Sequence, residues 1–343
     1  MDVMVELKIA NSNKAEMWDR LVEGSPHGTI FHTWKWLKIA EKHTNLKLYP
    51  IISYKGTEPI GIIPLFYKKK FIKMVFSPPP YTAIPYLGPV LKDYDKLKED
   101  KRLSFLSELQ REIDNFIFSE LKANYISISL SPGMLDCRPF IWTGYHINPF
   151  FNYILDLSKG YDHIWMQFKR KLRGDIERAR KRGVYVEEGH KEELSFIYNA
   201  LIERYQEQNR AVYVPKNYLF DLYNGFYPQN LRIFVAKYEN EPVGGLVALC
   251  YKNKISFWIG TAKSNVKGLS PNDLVQWEAI KWACEHGFKC YEEIGAGTER
   301  LVQFKAKYNP TLSVCFSAKK YSSLLIKLIE LSYKKKLRRL LRI

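Results

Sequence analysis

The sequence predicts an α/β fold with mixed sheets in two tandem domains, and three observations support that class. The chain of 343 residues is too long for one ordinary core and suits two domains of about 150 residues each. Its 46% apolar and 15% aromatic content is typical of packed globular proteins. Each half also runs through helices, a strand meander, and then a helix and a strand. We therefore place the domains at 1–150 and 151–320, and assign 321–343 to a basic amphipathic C-terminal helix.

The first half is predicted from the spacing of its apolar residues. This spacing gives helices over 13–23, 33–43 and 95–123, and strands over 46–54, 59–67 and 125–130. Five prolines between Ser77 and Pro89 predict a fixed, irregular loop. We take Tyr81 in this loop as a candidate substrate contact.

The second half shows the same order of elements. Its predicted helices cover 161–182, 191–208, 215–223 and about 270–287, and its predicted strands cover 153–157, 184–186, 231–238, 242–251, 255–260, 290–294 and 311–318. The first of these helices is followed by Gly183, a residue suited to a left-handed C-cap. Trp258, in the strand 255–260, is a second candidate substrate contact.

A short motif is repeated between the halves. Glu58–Gly61 reads Glu-Pro-Ile-Gly and Glu241–Gly244 reads Glu-Pro-Val-Gly, and the strand that follows holds one more residue in the second copy. A β-bulge inserts one residue into a strand, and the pair Gly244-Gly245 supplies the backbone freedom that a bulge needs. The motif therefore predicts a bulge in the strand 242–251, although two unrelated hairpins could also agree over ten residues.

Positive charge is concentrated in two segments. The formal net charge is +17, and Lys169–Arg182 holds eight basic and two acidic residues, whereas Lys319–Ile343 holds nine basic and one acidic residue. Two local basic surfaces predict binding to the phosphates of a small ligand, to transfer RNA or to an anionic membrane. Lys169 and Arg173 are the candidate substrate contacts in the first segment. A solvated helix face is the structural alternative.

Residue spacing argues against other classes. The five cysteines form no C-x-x-C pair and the seven histidines show no zinc-type spacing, so neither a disulfide framework nor a metal site is predicted. The first residues lack a signal-peptide pattern, and no run of 18 apolar residues occurs. We predict a cytoplasmic protein, and peripheral binding at the inner face of the membrane through Lys319–Ile343 stays open.

The start of the helix near residue 270 is the clearest local signal. Ser270 suits the N-cap, Pro271 the first turn, and Asp273 the reciprocal bond of a capping box. A helix start that follows Gly268 offers N–H groups to an anion, so Gly268, Ser270 and Asn272 are candidate substrate contacts. A well-capped structural helix would show the same residues.

Two charged residues beyond that helix are the candidates for catalysis. Alternation along the strand puts Glu292 and Glu293 on opposite faces, and we choose Glu293 as the group that accepts a proton from an amine substrate. Lys305, beside an anchoring Phe304, would neutralise substrate phosphate. We expect Lys305→Ala to cut turnover while changing the free energy of unfolding by no more than about 0.5 kcal/mol, as surface substitutions do. A structural carboxylate and a solvated lysine are the alternatives.

Several of these segments resemble the Fem-type (FemAB-like) peptidyl and aminoacyl transferases of the GNAT acyltransferase superfamily. The resemblance covers about 29–316 and rests on Gly268–Gly287, Tyr291–Gly297 and Phe304-Lys305, with weaker matches at Phe31–Trp36, Pro59–Pro64, Lys169–Gly183 and Arg210. It implies two GNAT-like domains, with Lys305 near substrate phosphate and Arg210 as a further substrate contact.

Two departures from the family pattern leave the donor open. Of the acetyltransferase loop pattern Gln/Arg-x-x-Gly-x-Gly/Ala, residues 265–270 keep only Gly268. This departure weakens the expectation of coenzyme A binding. The interval between Val184 and Leu231 leaves little room for the helical arm that some bridge-forming members insert. This departure weakens the expectation of transfer RNA binding.

The sequence therefore predicts an N-acyltransferase or aminoacyltransferase. It would acylate an amine of a phosphate-bearing cell-envelope or polysaccharide precursor, either nucleotide-linked or lipid-linked. We expect no tightly bound cofactor, and aminoacyl-tRNA or acyl-CoA as the donor. The alternatives are a purely acyl-CoA-dependent N-acyltransferase of GNAT type and a non-catalytic GNAT-like scaffold that binds membranes or RNA.

Overall fold

The computed structural model describes residues 5–207, 214–261, 266 and 268–340. The chain divides into two compact units, one formed by Met1–Phe150 with Val314–Ile343 and the other by Phe151–Ser313. The last strand therefore begins in the second unit and ends in the first. None of the helices in this described part of the chain has the length and apolar character needed to cross a bilayer.

The first unit is an α/β layer with a mixed sheet. Its elements are β1 (Val5–Ile9), α1 (Ala15–Glu23), α2 (Trp34–Thr44), β2 (Lys47–Lys55), β3 (Glu58–Lys68), β4 (Met74–Ser77), β5 (Val90–Leu91), α3 (Glu99–Asp114), β6 (Tyr125–Ser129), α4 (Arg138–Trp142) and the start of β7 (His146–Asp156). The end of β13 (Thr311–Tyr321) and α11 (Leu324–Leu340) complete it. The strands run in the order β1-β2-β3-β4-β6-β13, and β5 pairs with β3.

The second unit carries the candidate site. After the end of β7, its elements are α5 (Tyr161–Gln167), α6 (Arg170–Lys181), β8 (Tyr185–Glu188), α7 (Lys191–Glu207), α8 (Lys216–Phe226), β9 (Leu231–Tyr238), β10 (Glu241–Tyr251), β11 (Lys254–Gly260), α9 (Pro271–Glu285), β12 (Cys290–Glu293) and α10 (Glu299–Lys305). The strands run in the order β7-β12-β11-β10-β9-β8. Only β11 and β12 in this order are parallel.

The core of the second unit lies between this sheet and α9. Leu274, Trp277 and Ile280 of α9 are buried in one apolar cluster with Ile255 and Tyr291 of the sheet. Burial of such large side chains stabilises the unit by about 1.5–3 kcal/mol each, measured against full exposure. The core therefore fixes α9 against the sheet, chiefly over β9 and β10.

The repeated motif forms a bulge in both halves. Val243 is an extra residue in β10, between the pairs Pro242–Lys237 and Gly244–Ala236. Ile60 is the matching extra residue in β3. The predicted bulge is therefore present, but the single additional residue of the second copy has another origin because both hairpins bulge at the same place.

Two predicted helices differ from those observed. The predicted helix 161–182 is broken at Phe168, whose backbone is extended, because that side chain packs against Trp277 and Tyr308 at ring separations of 5.4 and 5.2 Å. The N–H of Lys169 donates to the carbonyl of Lys307 at 3.1 Å, outside any helix. The predicted helix 95–123 begins later, at Glu99, and finishes as a π-helical segment over Asn115–Glu120.

Candidate active site

The site lies where β11 and β12 stop pairing. The parallel ladder runs from Lys254–Cys290 to Phe257–Glu293, and β11 continues through Trp258 to Gly260. Trp258 is also an extra residue on the β10 side, because Val247 pairs with Ile259 and Ala248 pairs with Phe257. A bulge in one strand next to the end of a ladder opens the backbone edge of β11, and such places are common beside active sites.

Glu292 is a structural carboxylate. It is fully buried, and its oxygens accept hydrogen bonds from Asn152 Nδ2 at 3.0 Å and from Ser256 Oγ at 3.0 Å. Lys254 Nζ lies 3.3 Å from the same carboxylate. Asn152 Oδ1 also accepts from the N–H of Gly295 at 2.8 Å, which ties the end of β12 to β7. This network holds the chain in place at the point where the site begins.

Asn152→Ala should lower the free energy of unfolding by about 3 kcal/mol, because a buried carboxylate oxygen and a backbone N–H would both lose their partner. Chemical denaturation measures this, with Asn148→Ala as the control because Asn148 is exposed on the same strand. Equal stability of the two variants would show that this network does not anchor β12.

Glu293 is the buried acid that the sequence pointed to. It has no solvent exposure, and one oxygen accepts a hydrogen bond from Gln276 Nε2 of α9. Burial raises the pKa of Glu293 to about 7, while the charge of Lys305 and the bond from Gln276 oppose that rise. Glu292 and Glu293 are both fully buried, so neither of these adjacent glutamates faces solvent.

Three polar atoms around Glu293 are buried without a hydrogen-bond partner among the described residues: Glu293 Oε2, Gln276 Oε1 and Tyr291 Oη. Tyr291 and Glu293 share one face of β12, and burial followed by the Glu293 charge raises the pKa of Tyr291 well above its ordinary value. Unsatisfied polar groups are costly in an interior and cluster at functional sites. The second oxygen of Glu293 therefore keeps a hydrogen-bonding capacity that no described residue uses.

Lys305 is buried at the end of α10, a helix that the sequence analysis missed. Only 6% of the residue is exposed, and Nζ donates to the carbonyls of Ile294 and Gly295 at 2.6 and 2.7 Å. Burial lowers the pKa of Lys305, and the charge of Glu293 opposes that shift. The surface position assumed for Lys305 is thus wrong, and we now expect Lys305→Ala to destabilise the protein, since two carbonyls would lose their donor and a buried acid would lose a nearby positive charge.

Asp273 does not form the predicted capping box. The Ser270 side chain makes no cap hydrogen bond, and Asp273 turns inward, where it accepts from Tyr308 Oη at 2.9 Å and from Lys307 Nζ. A buried carboxylate bound by a tyrosine and a lysine ties the first turn of α9 to the segment after α10. These two segments, which border the candidate site, are therefore held together.

The candidate substrate contacts near α9 each have a structural role in this unit. Asn272 Oδ1 accepts from Thr261 Oγ1 at 2.6 Å, so that side chain links the end of β11 to α9. Gly268 has a φ of +77°, a left-handed conformation that favours glycine in the loop. The ring of Phe304 packs on the core and lies 4.0 Å from Lys307 Nζ. These contacts build the frame around Glu293 and Lys305.

The remaining predicted contacts lie further from Glu293 along the chain. Lys169 is exposed at the start of α6, and Arg173 Nη1 lies 3.3 Å from Met166 Sδ. Tyr81 belongs to the first unit, where it is 56% exposed with a φ of +67°. Arg210 lies outside the described residues. The roles of all four stay predictions.

Arg204 and Arg300, two arginines that the sequence analysis did not single out, interact electrostatically in the second unit. Burial lowers the pKa of Arg204 on α7, and the charge of Arg300 on α10 lowers it further. Tyr205 and Glu207 oppose that shift, and Arg300 itself is exposed. Arg300 lies seven positions after Glu293 in the sequence, whereas Arg204 lies 96 positions before Arg300, so no local sequence motif includes both arginines.

Within the described residues, no group of three or more His, Cys, Asp or Glu side chains is arranged to hold a metal ion.

Comparison with known proteins identifies the fold of this unit. The model of the family described as "Acetyltransferase (GNAT) domain" matches residues 166–305. The second unit carries a GNAT domain. A search of curated protein sequences finds no match.

Solved structures extend the likeness over most of the chain. FemX is 16% identical with a TM-score of 0.67, and the match covers 91% of this chain and 96% of FemX. L-PGS from Bacillus licheniformis is 15% identical with a TM-score of 0.57, covering 94% and 96%. A tandem GNAT protein from the clavulanic acid biosynthesis pathway is 10% identical with a TM-score of 0.54, covering 93% and 99%.

The predicted fold class, a mixed α/β protein of tandem GNAT type, is confirmed by these matches. The resemblance to Fem-type proteins is confirmed at the level of the fold. The GNAT fold is that of acyl and aminoacyl transferases, and the Glu293–Lys305 pair lies within the matched GNAT segment.

Proposed function

We propose that the GNAT domain transfers an acyl or aminoacyl group to an amine of a phosphate-bearing cell-envelope or polysaccharide precursor, either nucleotide-linked or lipid-linked. The observation that carries this proposal is the buried Glu293, whose second oxygen has no partner among the described residues and whose pKa is raised. An acid that titrates close to neutral pH suits general base catalysis.

The reaction needs one proton acceptor at the amine. The amine nitrogen attacks the carbonyl carbon of the donor, a C–N bond forms, and the C–O or C–S bond of the donor ester or thioester breaks. The proton that leaves the amine goes to Glu293, and the departing oxygen or sulfur takes up a proton. Lys305, whose ammonium is fixed by two carbonyls, stabilises Glu293 as an anion and favours nearby substrate phosphate.

The donor suits the open edge of β11. Beyond Phe257 this strand presents backbone groups outside the β12 ladder, and an extended chain that carries amides can pair with such an edge. Gly268, Ser270 and the start of α9 would hold the anionic part of the donor. Lys307 neutralises Asp273 there, so this carboxylate adds little repulsion.

A specific observation also favours the second candidate, a purely acyl-CoA-dependent N-acyltransferase, because the matching family model is named for acetyltransferases. Gel retention of aminoacyl-tRNA and mass-spectrometric detection of retained acyl-CoA separate the two donors. Lipid-linked acceptors draw support from one structural neighbour, a putative lysylphosphatidylglycerol synthetase from Agrobacterium fabrum, whose TM-score is 0.52.

The phosphate of the acceptor is the expected partner of Arg204 and Arg300. Inorganic pyrophosphate should raise the melting temperature of the protein, and Arg204→Ala should weaken pyrophosphate binding about tenfold or more, since one charge-assisted contact is lost. Thermal shift measured across a pyrophosphate titration checks this. Lys101→Ala, which removes one exposed charge from α3, is the control and should bind as the wild type does. Identical titrations of all three proteins would remove Arg204 from the proposal.

A further inference from the structure

Helix α11 turns its aliphatic side chains outward. Leu324, Leu325, Leu328, Ile329 and Leu331 are 71, 66, 52, 39 and 50% exposed. At 100° per residue these positions fall on one side of the helix. They form one outward aliphatic face, which we call the leucine face.

The opposite side of α11 faces the first unit with its polar residues. Lys327 Nζ lies 3.2 Å from His146 Nε2. Glu330 raises the pKa of Tyr321 on β13, after burial, and bonds to that side chain. Ile326, Lys327 and Glu330 are half-buried on the inner side, whereas five leucine and isoleucine side chains are exposed on the outer side.

An exposed leucine face needs a partner to be favourable. Each fully buried aliphatic side chain contributes about 1.5–3 kcal/mol relative to exposure, and apolar patches of this kind mark interaction sites. The charges narrow the choice of partner. The segment Lys319–Ile343 has nine basic residues and a single acid, Glu330, and that acid contacts the protein.

A second copy of the chain fits this face poorly, because two segments of net charge +8 would meet. RNA would match the charge but would leave the leucines in water. An anionic bilayer satisfies both features, since its phosphates match the net positive charge of this segment while its acyl region receives the leucines. At 17 residues α11 is about 25 Å long, a length that suits a helix lying in the plane of the interface.

We propose that α11 docks the protein on an anionic lipid surface through the leucine face. This contact brings the protein to the place where a lipid-linked acceptor resides, and that last step alone rests on the proposed function. Docking itself requires neither donor nor acceptor.

Vesicle sedimentation of the full chain tests the proposal. Vesicles of phosphatidylcholine with phosphatidylglycerol should bind the wild type, vesicles of phosphatidylcholine alone should bind it at least about tenfold more weakly, and salt should reduce the difference. The double variant Leu324→Gln/Leu328→Gln should bind the anionic vesicles at least about tenfold more weakly than the wild type, because two side chains no longer enter the apolar layer.

Leu135→Gln is the matched control, since Leu135 is 63% exposed on the same unit but lies outside α11. It should sediment as the wild type does, and circular dichroism should show equal helix content in all three proteins. Absence of wild-type binding to anionic vesicles, or equal binding by the double variant, would overturn the proposal. Either result would leave acyl transfer by the GNAT domain untouched, because transfer to a soluble acceptor is measured without vesicles.

Discussion

Replacing Glu293 with glutamine is expected to lower the rate of acyl transfer about 10²- to 10⁴-fold, the usual contribution of a general base. Glutamine keeps the size of the side chain and a partner for Gln276, so the loss reports proton transfer. Turnover at saturating donor measures the effect. Glu285→Gln, an exposed position on α9, should leave the rate unchanged.

The pH dependence of turnover tests whether Glu293 must be ionised to act as the base. Glu293 accepts a proton only when it is ionised, so the wild-type rate should rise with pH through about 7 and then level off. The rise should be absent in Glu293→Gln. A variant that keeps the wild-type profile would exclude Glu293 as the base.

The free energy of unfolding should fall with rising pH over the range in which turnover rises. Burial raises the pKa of Glu293 from 4.5 to about 7, so the folded protein holds this proton more tightly than the unfolded chain does. The stabilisation is fully present below about pH 4.5 and is lost as the pH rises through about 7. Over this interval the free energy of unfolding of the wild type should fall by about 3 kcal/mol relative to Glu293→Gln.

Replacing Lys305 with methionine should lower turnover about 10²-fold or more, because the site loses the cation that keeps Glu293 ionised and attracts phosphate. The free energy of unfolding should fall by about 3 kcal/mol, since a buried acid and two carbonyls lose their partner. The charge of Lys305 opposes the raised pKa of Glu293, so the pH–rate profile should also move to higher pH.

Lys289→Met, an exposed site before β12, is the control for charge removal and should match the wild type in rate and stability. The profile shift separates electrostatics from unfolding, because a merely destabilised protein would lose rate without a change in its pH dependence. A Lys305→Met enzyme with the wild-type profile and rate would show that this lysine only holds the loop after β12.

The sequence was most informative where local pattern decides structure. Strand β9 was predicted over the observed range Leu231–Tyr238, because alternation and flanking turns determine it locally. α10 was missed because Glu299–Lys305 is short, although Thr298 accepts from the N–H of Leu301 at its N-cap and gave a usable signal. The break at Phe168 depends on packing against Trp277, which no local pattern contains.

The candidate site was predicted in part for the same reason. Glu293 and Lys305 follow from strand alternation and from a family motif. Gln276 and Asp273, spaced by three residues on a largely buried helix, were polar residues that could have signalled an inward polar contact. Their partners Glu293 and Tyr308 come from distant elements, so only the fold brings them together.

Acyl transfer to an amine is tested most directly by the mass of the acceptor after reaction. The wild-type protein would be incubated with nucleotide-linked and lipid-linked amine precursors and with aminoacyl-tRNA or acyl-CoA. We predict that one acceptor gains the mass of the donor's acyl group on its amine, and that Glu293→Gln forms this product at least about 10²-fold more slowly. An acceptor of unchanged mass with every donor, in the presence of folded wild-type protein, would contradict a transferase function.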